Sequence, residues 1–394
     1  MKEKMNPDKN LVNSKSGYSE EGFQENPEQL KKAFDRILKL KNSDLFLKLE
    51  KSENDIIENY LSSYKKKIEN IKFTNEDFFL SGQDILKISK INDDNLLRFL
   101  IYRYKYSVYP KLFKVDNYPP NIQIEPTSVC NFRCVMCYQA DKSFSNKSNG
   151  FMGHMDIDLF KKIIDEIEGN IEAVTLASRG EPTLNPKIIE MVQYCKNKFL
   201  GFKINTNASL LNENLIKNLL DANFAEIVFS ADAADKETYE KIRINGKYEK
   251  VFKNLELFSQ IKKSDFPNSN TLTKISGVKI KESQNVEEMK TKVGKYVDVV
   301  QLVDYTPWES SYDNPVGYTN EPCHQLWHRM FVWQDGKANP CDYDYKSKLS
   351  KWNVKDNTIS EIWNSDEYNN YRSMHINNMR KDLYPCDRCT FGNA

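Results

Sequence analysis

Three cysteines fall within eight residues, Cys130-Asn131-Phe132-Arg133-Cys134-Val135-Met136-Cys137. Thiolates are soft ligands that select zinc, Cu(I) or iron–sulfur clusters. A structural zinc site takes four protein ligands. An isolated triple suits an open, reactive metal better, because three thiolates hold three irons of a cubane and leave the fourth free. A second set lies near the C-terminus. Cys323 is followed by twelve residues, Gly336, four residues and Cys341, and Cys386-Asp387-Arg388-Cys389 completes the set. Cys-x2-Cys pairs also serve tetrahedral zinc, so zinc stands beside an iron–sulfur cluster as a reading of these four. The eighth cysteine, Cys195, shares a helical stripe with Ile188, Val192 and Phe199 and reads as core. His324 and His328 read as packing or surface residues rather than ligands.

These residues need elements to hold them. The first triple follows a short strand at 121–125. Strand patterns then recur at 171–177, 202–205, 226–230, 275–280 and 296–303, with helical patterns between them at 157–167, from Pro186, and at 210–220, 235–242, 251–261 and 286–293. About six βα units over 121–303 imply a parallel sheet with helices outside. Six units fall short of an eight-strand barrel. The expected fold class is therefore α/β, a partial (β/α)6 barrel. Loops leaving the C-terminal ends of barrel strands carry active sites, and the cysteine triple is in such a loop.

Around this barrel the chain divides further. Residues 1–26 read as a mobile tail. Residues 27–117 read as a helical accessory region, with Leu97, Ile101, Tyr104 and Val108 at helical spacing behind Asp93 and Asp94. Residues 118–304 are the barrel, and 305–394 a small Cys-rich module. In that module 331–334 followed by Asp335-Gly336 reads as a hairpin whose turn residues take positive φ, and 359–374 as one helix.

Composition narrows the function. The 394 residues carry 57 Lys+Arg against 56 Asp+Glu, a net charge of +1, which argues against a nucleic-acid partner. No apolar run approaches the ~20 residues of a membrane-spanning helix. The polar first 26 residues lack the apolar core of a secretory signal, so the expected location is cytoplasmic. Thiols stay reduced there, which favours metal ligands over disulfides.

The Cys-x3-Cys-x2-Cys loop after the first strand, followed by repeated βα units, resembles the radical S-adenosylmethionine (SAM) superfamily. The resemblance implies a [4Fe–4S] cluster on Cys130, Cys134 and Cys137 whose open iron binds SAM. Reductive cleavage of SAM would yield a 5′-deoxyadenosyl radical that abstracts a substrate hydrogen. It also implies the SAM contacts. The residue before the third cysteine is commonly aromatic and touches adenine; here it is Met136, and Tyr138 follows the cysteine. Ser178-Arg179-Gly180-Glu181-Pro182 aligns with a Gly-Gly-Glu pattern whose acid, here Glu181, receives the SAM amino group, with Arg179 in place of the first glycine. Asn207 after the third strand, Ser230 in Ser230-Ala231-Asp232 after the fourth, Arg243 in the next helix and Leu302 on the sixth strand complete the implied contacts.

Cys323, Cys341, Cys386 and Cys389 resemble a truncated SPASM/Twitch extension holding one auxiliary [4Fe–4S] cluster. Asp304 and Tyr305 leave the last strand toward the substrate face, with Trp308 and Glu309 beyond, and are candidates for proton or hydrogen-atom transfer; an ordinary linker is the competing reading. The implied activity is oxidation or epimerisation of a carbohydrate-like small molecule, with a reductant such as flavodoxin or ferredoxin. A peptide-modifying maturase and a non-catalytic iron–sulfur electron carrier or redox sensor are the alternatives.

Overall fold

The structure, a computed structural model, describes residues 27–281, 284–305, 312, 318–389 and 391. The expected tail at 1–26, and Trp308 and Glu309, lie outside the described residues.

Eight strands form one sheet: β1 (Asn121–Ile124), β2 (Ala173–Leu176), β3 (Gly201–Thr206), β4 (Glu226–Ser230), β5 (Leu272–Lys279), β6 (Val299–Asp304), β7 (Arg329–Val332) and β8 (Ala338–Asn339). Their order is β6-β5-β4-β3-β2-β1-β7-β8, an open curve rather than a closed ring. All neighbours are parallel except β7 and β8. The first six strands are those expected from the sequence.

The seventh extends the expectation. Arg329–Val332 lies parallel to β1, pairing Asn121 with Arg329 through Ile124 with Val332. An open sheet leaves unpaired backbone groups along its edge. The C-terminal region covers the β1 edge, so its first hairpin strand belongs to the barrel sheet. The hairpin turn also differs. Only Gly336 takes positive φ, at +88°. Five residues separate the paired Val332 and Ala338, and Gly336 N donates to Trp333 O at 2.9 Å. A longer turn needs one left-handed residue rather than two.

The outer face of the sheet carries Ile122, Ile124, Val174, Leu176, Phe202, Ile204, Ile227 and Phe229, all buried in the main core. Helices pack over it with capped starts. In Ile157–Ile167 the stripe Leu159, Phe160, Ile163, Ile164 and Ile167 is buried. Asp156 accepts from the Asp158 and Leu159 amides, satisfying donors the first turn cannot. Gly169, at φ +80°, reverses the chain after it.

The expected single helix at 359–374 is two, Ile359–Trp363 and Asp366–Ile376. Ser365 breaks it by accepting from Tyr368 N at 3.3 Å, a side-chain cap that competes with helix continuation.

The N-terminal region contains helices Pro27–Leu40, Lys51–Ile68, Gly82–Ile88 and Asp93–Val108, among others, and among the described residues no strand precedes β1. Ile37, Ile57, Tyr60, Phe78, Leu96 and Leu100 form its core. It docks at the N-terminal ends of the strands, where Arg98 pairs with Glu172 just before β2. No helix among the described residues is long and apolar enough to cross a membrane.

Candidate cluster and cofactor site

The loop leaving β1 carries the cysteine triple, and its neighbours hold it firmly. Thr127 Oγ1 donates to Gly153 O at 2.7 Å, and Gly153 N donates to Ser128 Oγ at 2.8 Å. Arg133 Nη1 donates to the carbonyls of Cys130 and Phe132, both at 2.7 Å. Arg133 N and Val135 N donate to Ile244 O and Ile242 O, tying the loop to the end of the Lys236–Ile242 helix.

Each sulfur faces an N–H donor. Phe132 N lies 3.4 Å from Cys130 Sγ, Gln139 N 3.5 Å from Cys137 Sγ, and Arg243 Nη1 3.8 Å from Cys134 Sγ. Burial pushes all three thiols up, and Cys134 raises both Cys130 and Cys137 further. Buried thiols of this kind ionise when a metal supplies the opposing charge. N–H donors to sulfur are among the features that set a cluster's potential.

The expected SAM contacts gather around this loop. Glu181 is buried and heavily solvated by the protein. Its carboxylate accepts from Thr183 N at 3.1 Å, Thr183 Oγ1 and Thr206 Oγ1 at 2.6 Å, and Asn207 N at 2.6 Å. Burial nevertheless pushes the carboxyl up, with those hydrogen bonds offsetting part of the effect. Asn207 Nδ2 donates to Asn131 Oδ1 at 2.9 Å, joining this group to the cysteine loop. Asp232, buried just beyond β4, pairs with Arg243 at 2.6 Å and accepts from Val278 N at 2.8 Å. Arg243 therefore bridges Asp232 and Cys134. Ser230 is half-buried at the end of β4, and Leu302 faces the close approach of β5 at Gly277.

The remaining residues singled out in the sequence fall in several settings, with Met136 and Tyr138 flanking Cys137. Met136 is buried in the main core. Tyr138 turns toward the C-terminal region, stacking on Tyr345 at 5.2 Å while its hydroxyl donates to Ser178 O at 2.8 Å. Tyr305 packs against the main core, and Asp304 is exposed at the end of β6. His328 is buried with its ring 4.1 Å from that of Tyr106, and His324 rests against Phe391. Cys195 is fully buried in the core.

Gly180 sets the path of the Glu181 turn. A Cβ there would lie 2.2 Å from Thr127 O and 2.6 Å from Val129 O. Both are backbone atoms of the β1 loop, so no side chain can swing aside. Gly180→Ala is expected to push Glu181 away from the cysteine loop. SAM affinity in equilibrium dialysis should fall at least about tenfold, as for loss of a charge-assisted hydrogen bond, with iron content retained. Unchanged affinity would show that Glu181 does not hold SAM.

The second cysteine set is organised by two residues that sequence reasoning missed. Arg380, buried, donates to Glu321 O at 2.7 Å, Cys389 O at 3.0 Å and Cys386 O at 3.2 Å. His375 Nδ1 accepts from Cys323 N at 3.1 Å. Burial pushes all four thiols up, and Cys323 and Cys386 each act on Cys341. Among the described residues, no three His, Cys, Asp or Glu side chains stand as close together as one metal ion requires.

Arg179, a departure from the family pattern, is the other missed residue. Its guanidinium grips Glu125 through Nε at 2.7 Å and Nη2 at 2.6 Å, donates to Tyr345 O at 2.8 Å and lies 4.1 Å over the Trp333 ring. Both charged side chains are almost completely buried. The only sequence signal was an arginine where a glycine is usual, with an acid closing the first strand.

Asp141, shortly after the triple, makes a second link. Its carboxylate accepts from Tyr345 Oη and Lys346 Nζ, both at 2.7 Å, and from Ser143 N at 2.7 Å. Burial raises this carboxyl, but the bonds from Lys346, Ser143 and Tyr345 outweigh it and bring it down to about 2. A depressed carboxyl adds stability above its unfolded value near ~3.9, and that contribution is lost as pH falls toward the folded value. Asp141→Asn should cost about 1–2 kcal/mol at pH 7. Urea midpoints measured from pH 5 to 2 should converge for variant and parent. A gap that persists at the acid end would assign the loss to something other than this charge.

The geometry thus defines a class: an open α/β barrel with a three-thiolate cluster loop and a buried acid at the C-terminal ends of its strands. Residues 124–289 match the radical SAM superfamily, and residues 323–390 match SPASM, an iron–sulfur cluster-binding domain. The chain thus carries a radical SAM domain and a C-terminal SPASM module, and these two domains imply a SAM-binding [4Fe–4S] cluster, an auxiliary iron–sulfur cluster and SAM as cofactors. It is 33% identical over 113 residues to the tungsten-containing aldehyde ferredoxin oxidoreductase cofactor-modifying protein of Pyrococcus furiosus, covering 28% of this chain and 30% of that one. It is 29% identical over 157 residues to the AdoMet-dependent heme synthase of Methanosarcina barkeri, covering 40% and 43%. Its matches thus span less than half the length of these curated relatives. The crystal structure of Streptococcus suis SuiB bound to precursor peptide SuiA shares the fold, with TM-score 0.55 and 16% identity over 87% of each chain.

Proposed function

We propose that this enzyme abstracts a hydrogen atom from a polar, hydroxyl-bearing small molecule of carbohydrate type and carries it to an oxidised or epimerised product. The observation that supports the cofactor end of this reading is the joined network of Cys130, Cys134, Cys137, Glu181, Asn207, Asp232 and Arg243 at one end of the barrel. A [4Fe–4S] cluster held by Cys130, Cys134 and Cys137 would, when reduced, supply the one electron for reductive cleavage of SAM, and with it the hydrogen-abstracting 5′-deoxyadenosyl group.

The chain's own residues bind and orient. Cys130, Cys134 and Cys137 hold three corners of the cluster. Glu181 receives the SAM ammonium: a buried carboxylate ringed by neutral donors is completed by a cation. Asn207 fixes Glu181 through its backbone amide, and Ser230, half-buried at the end of β4, is assigned the ribose in this reading. Arg243, already engaged by Asp232, acts through Cys134 as a positioning residue. Cys323, Cys341, Cys386 and Cys389 hold the auxiliary cluster. A flavodoxin or ferredoxin is the reductant of this reading.

The N-terminal region favours a small molecule. A peptide-modifying reading would be supported by a strand-bearing peptide-binding domain ahead of the barrel, and the described residues there are helical. The likeness to SuiB is one of fold and does not choose the substrate.

The test is hydrogen transfer. The reconstituted enzyme is supplied anaerobically with reductant, SAM and deuterated cell extract, divided into a low-mass polar fraction and a peptide fraction. Deuterium should enter 5′-deoxyadenosine from the polar fraction. Label arriving only from peptides would overturn the substrate class.

A further inference from the structure

A barrel interior is ordinarily filled by layers of bulky branched side chains. Here the lower half is polar and open. A cavity of about 340 Å³, within the range of small-ligand sites, lies inside the sheet at the end opposite the cluster loops. Asn121, Ala173, Gly201, Glu226, Val299 and Arg329 line it, and each is the first residue of its strand. Gln123, Thr175 and Lys203 line it too, two positions further along, as expected of side chains that alternate between faces. None of the cysteines, nor Glu181, Asn207, Ser230 or Arg243, borders it. Its base, at the first residues of the strands, lies about one strand length from the cluster loop, roughly 13–20 Å at ~3.3 Å per residue, and Asn205 carries its upper wall to within two residues of Asn207.

Helices Gly82–Ile88 and Asp93–Val108 close the cavity from below through Asp84, Lys87, Tyr102, Arg103 and Tyr106. The lining is unbalanced in charge. It holds Lys87, Arg103, Lys203, Lys274 and Arg329 against Asp84 and Glu226. Arg103 pairs with Asp84 at 2.9 Å. Glu226 is shared, with Lys203 Nζ at 3.8 Å and Lys274 Nζ at 4.0 Å from the same carboxylate oxygen. Burial pushes the Glu226 carboxyl up, but Lys203, Lys87, Lys274 and Arg103 together hold it below the usual range. Arg329 also faces Asp342 outside the lining, and with it counted five cations still stand against three carboxylates. Such an excess favours an anion, because charge removed from water is costly unless opposed. The Asn121 and Asn205 side-chain carbonyls, both on this lining, accept no hydrogen bond among the described residues. Buried acceptors of this kind call for donors on whatever fills the space.

We propose that this cavity is a second small-molecule site, distinct from the SAM site, that binds a phosphate ester bearing hydroxyl groups. The phosphate sits among Lys203, Lys274 and Arg329, and the hydroxyls donate to Asn121 and Asn205. Size, charge excess and unsatisfied acceptors all point to this class. A purely water-filled lumen has no preference for a dianion.

The experiment is isothermal titration calorimetry on the full-length, cluster-reconstituted protein, with ribose 5-phosphate, inorganic phosphate and ribose as probes at matched ionic strength in sodium chloride. Ribose 5-phosphate should bind, more tightly than inorganic phosphate, with ribose undetected, and saturating SAM should leave its affinity unchanged. Lys274→Met should weaken it at least about tenfold, as for a lost charged hydrogen bond. Gln301→Met, a neutral replacement on the same wall, should weaken it less; it serves if Lys274→Met fails to fold. Absence of ester binding, equal binding of free phosphate, competition by SAM, or full affinity in Lys274→Met or in both variants would each overturn the proposal.

Discussion

Alanine at Cys134 is expected to remove one of two sets of iron from the protein and, with it, all formation of 5′-deoxyadenosine. Cys134 is buried at the centre of the cysteine loop, within 3.8 Å of Arg243 Nη1, and raises both neighbouring thiols. No described side chain is placed to replace it. Asp232, the near carboxylate, is committed to Arg243. With a four-iron cluster on each cysteine set, iron should fall from about eight to about four per chain, with sulfide in parallel. The companion variant is Cys386→Ala. Its set is held by Arg380 and His375 and shares no hydrogen bond with Glu181, so the same analysis should again give about four irons, yet 5′-deoxyadenosine should still form. The pair separates the two sets by function as well as by count. Undiminished 5′-deoxyadenosine from Cys134→Ala would break the assignment of the triple. Zinc in place of iron in Cys134→Ala would mean that the C-terminal set is a zinc site.

The sequence made much of this arrangement legible because the signals were local. Strand and helix periods show in short windows, so the first six strands and the 157–167, 235–242 and 286–293 helices stand close to where alternation put them. The cysteine spacings are contiguous or nearly so. What escaped was long-range. The pairing of Arg329–Val332 with β1 joins residues more than two hundred apart, and nothing in Met330 or Phe331 names its partner. The split at Ser365 depends on whether a serine side chain caps or merely faces solvent, which periodicity does not resolve. Arg380 gave no signal either, because its role is to hold carbonyls, and carbonyls are the same at every residue. The polar lumen was hidden for a related reason. Lys203, Glu226 and Lys274 look like ordinary surface charges in a strand pattern until the sheet curves and turns them inward.

Arg179 carries the largest expected effect on stability. Its pair with Glu125 is bidentate and dry, and the same carboxylate also accepts from Arg179 N at 3.1 Å and Gln334 N at 3.2 Å. Four segments meet there: the end of β1, the turn carrying Glu181, the β7–β8 turn, and the Tyr345 carbonyl beyond Cys341. Arg179→Met keeps much of the packing on Trp333 but removes the opposing charge. Glu125 is then a fully buried carboxylate with only two amides for company. Breaking one partner of such a pair costs about 3–5 kcal/mol, because the remaining charge stays desolvated. Neutralising both partners should cost less, since no bare charge is left. Glu125→Gln with Arg179→Met is therefore expected to recover about 1–3 kcal/mol of the single variant's loss. Urea unfolding of the purified chain, followed by tryptophan fluorescence, reads both quantities, with Trp333 at the contact itself. The sign of the double variant decides the physics. If it is no more stable than Arg179→Met, the loss comes from the missing bonds to Tyr345 O and the Trp333 face. If it recovers, the arginine in place of a glycine is there to answer a buried acid, and its pair with Glu125 stands beside the Asp141 contacts as one of two links between the cysteine-loop regions.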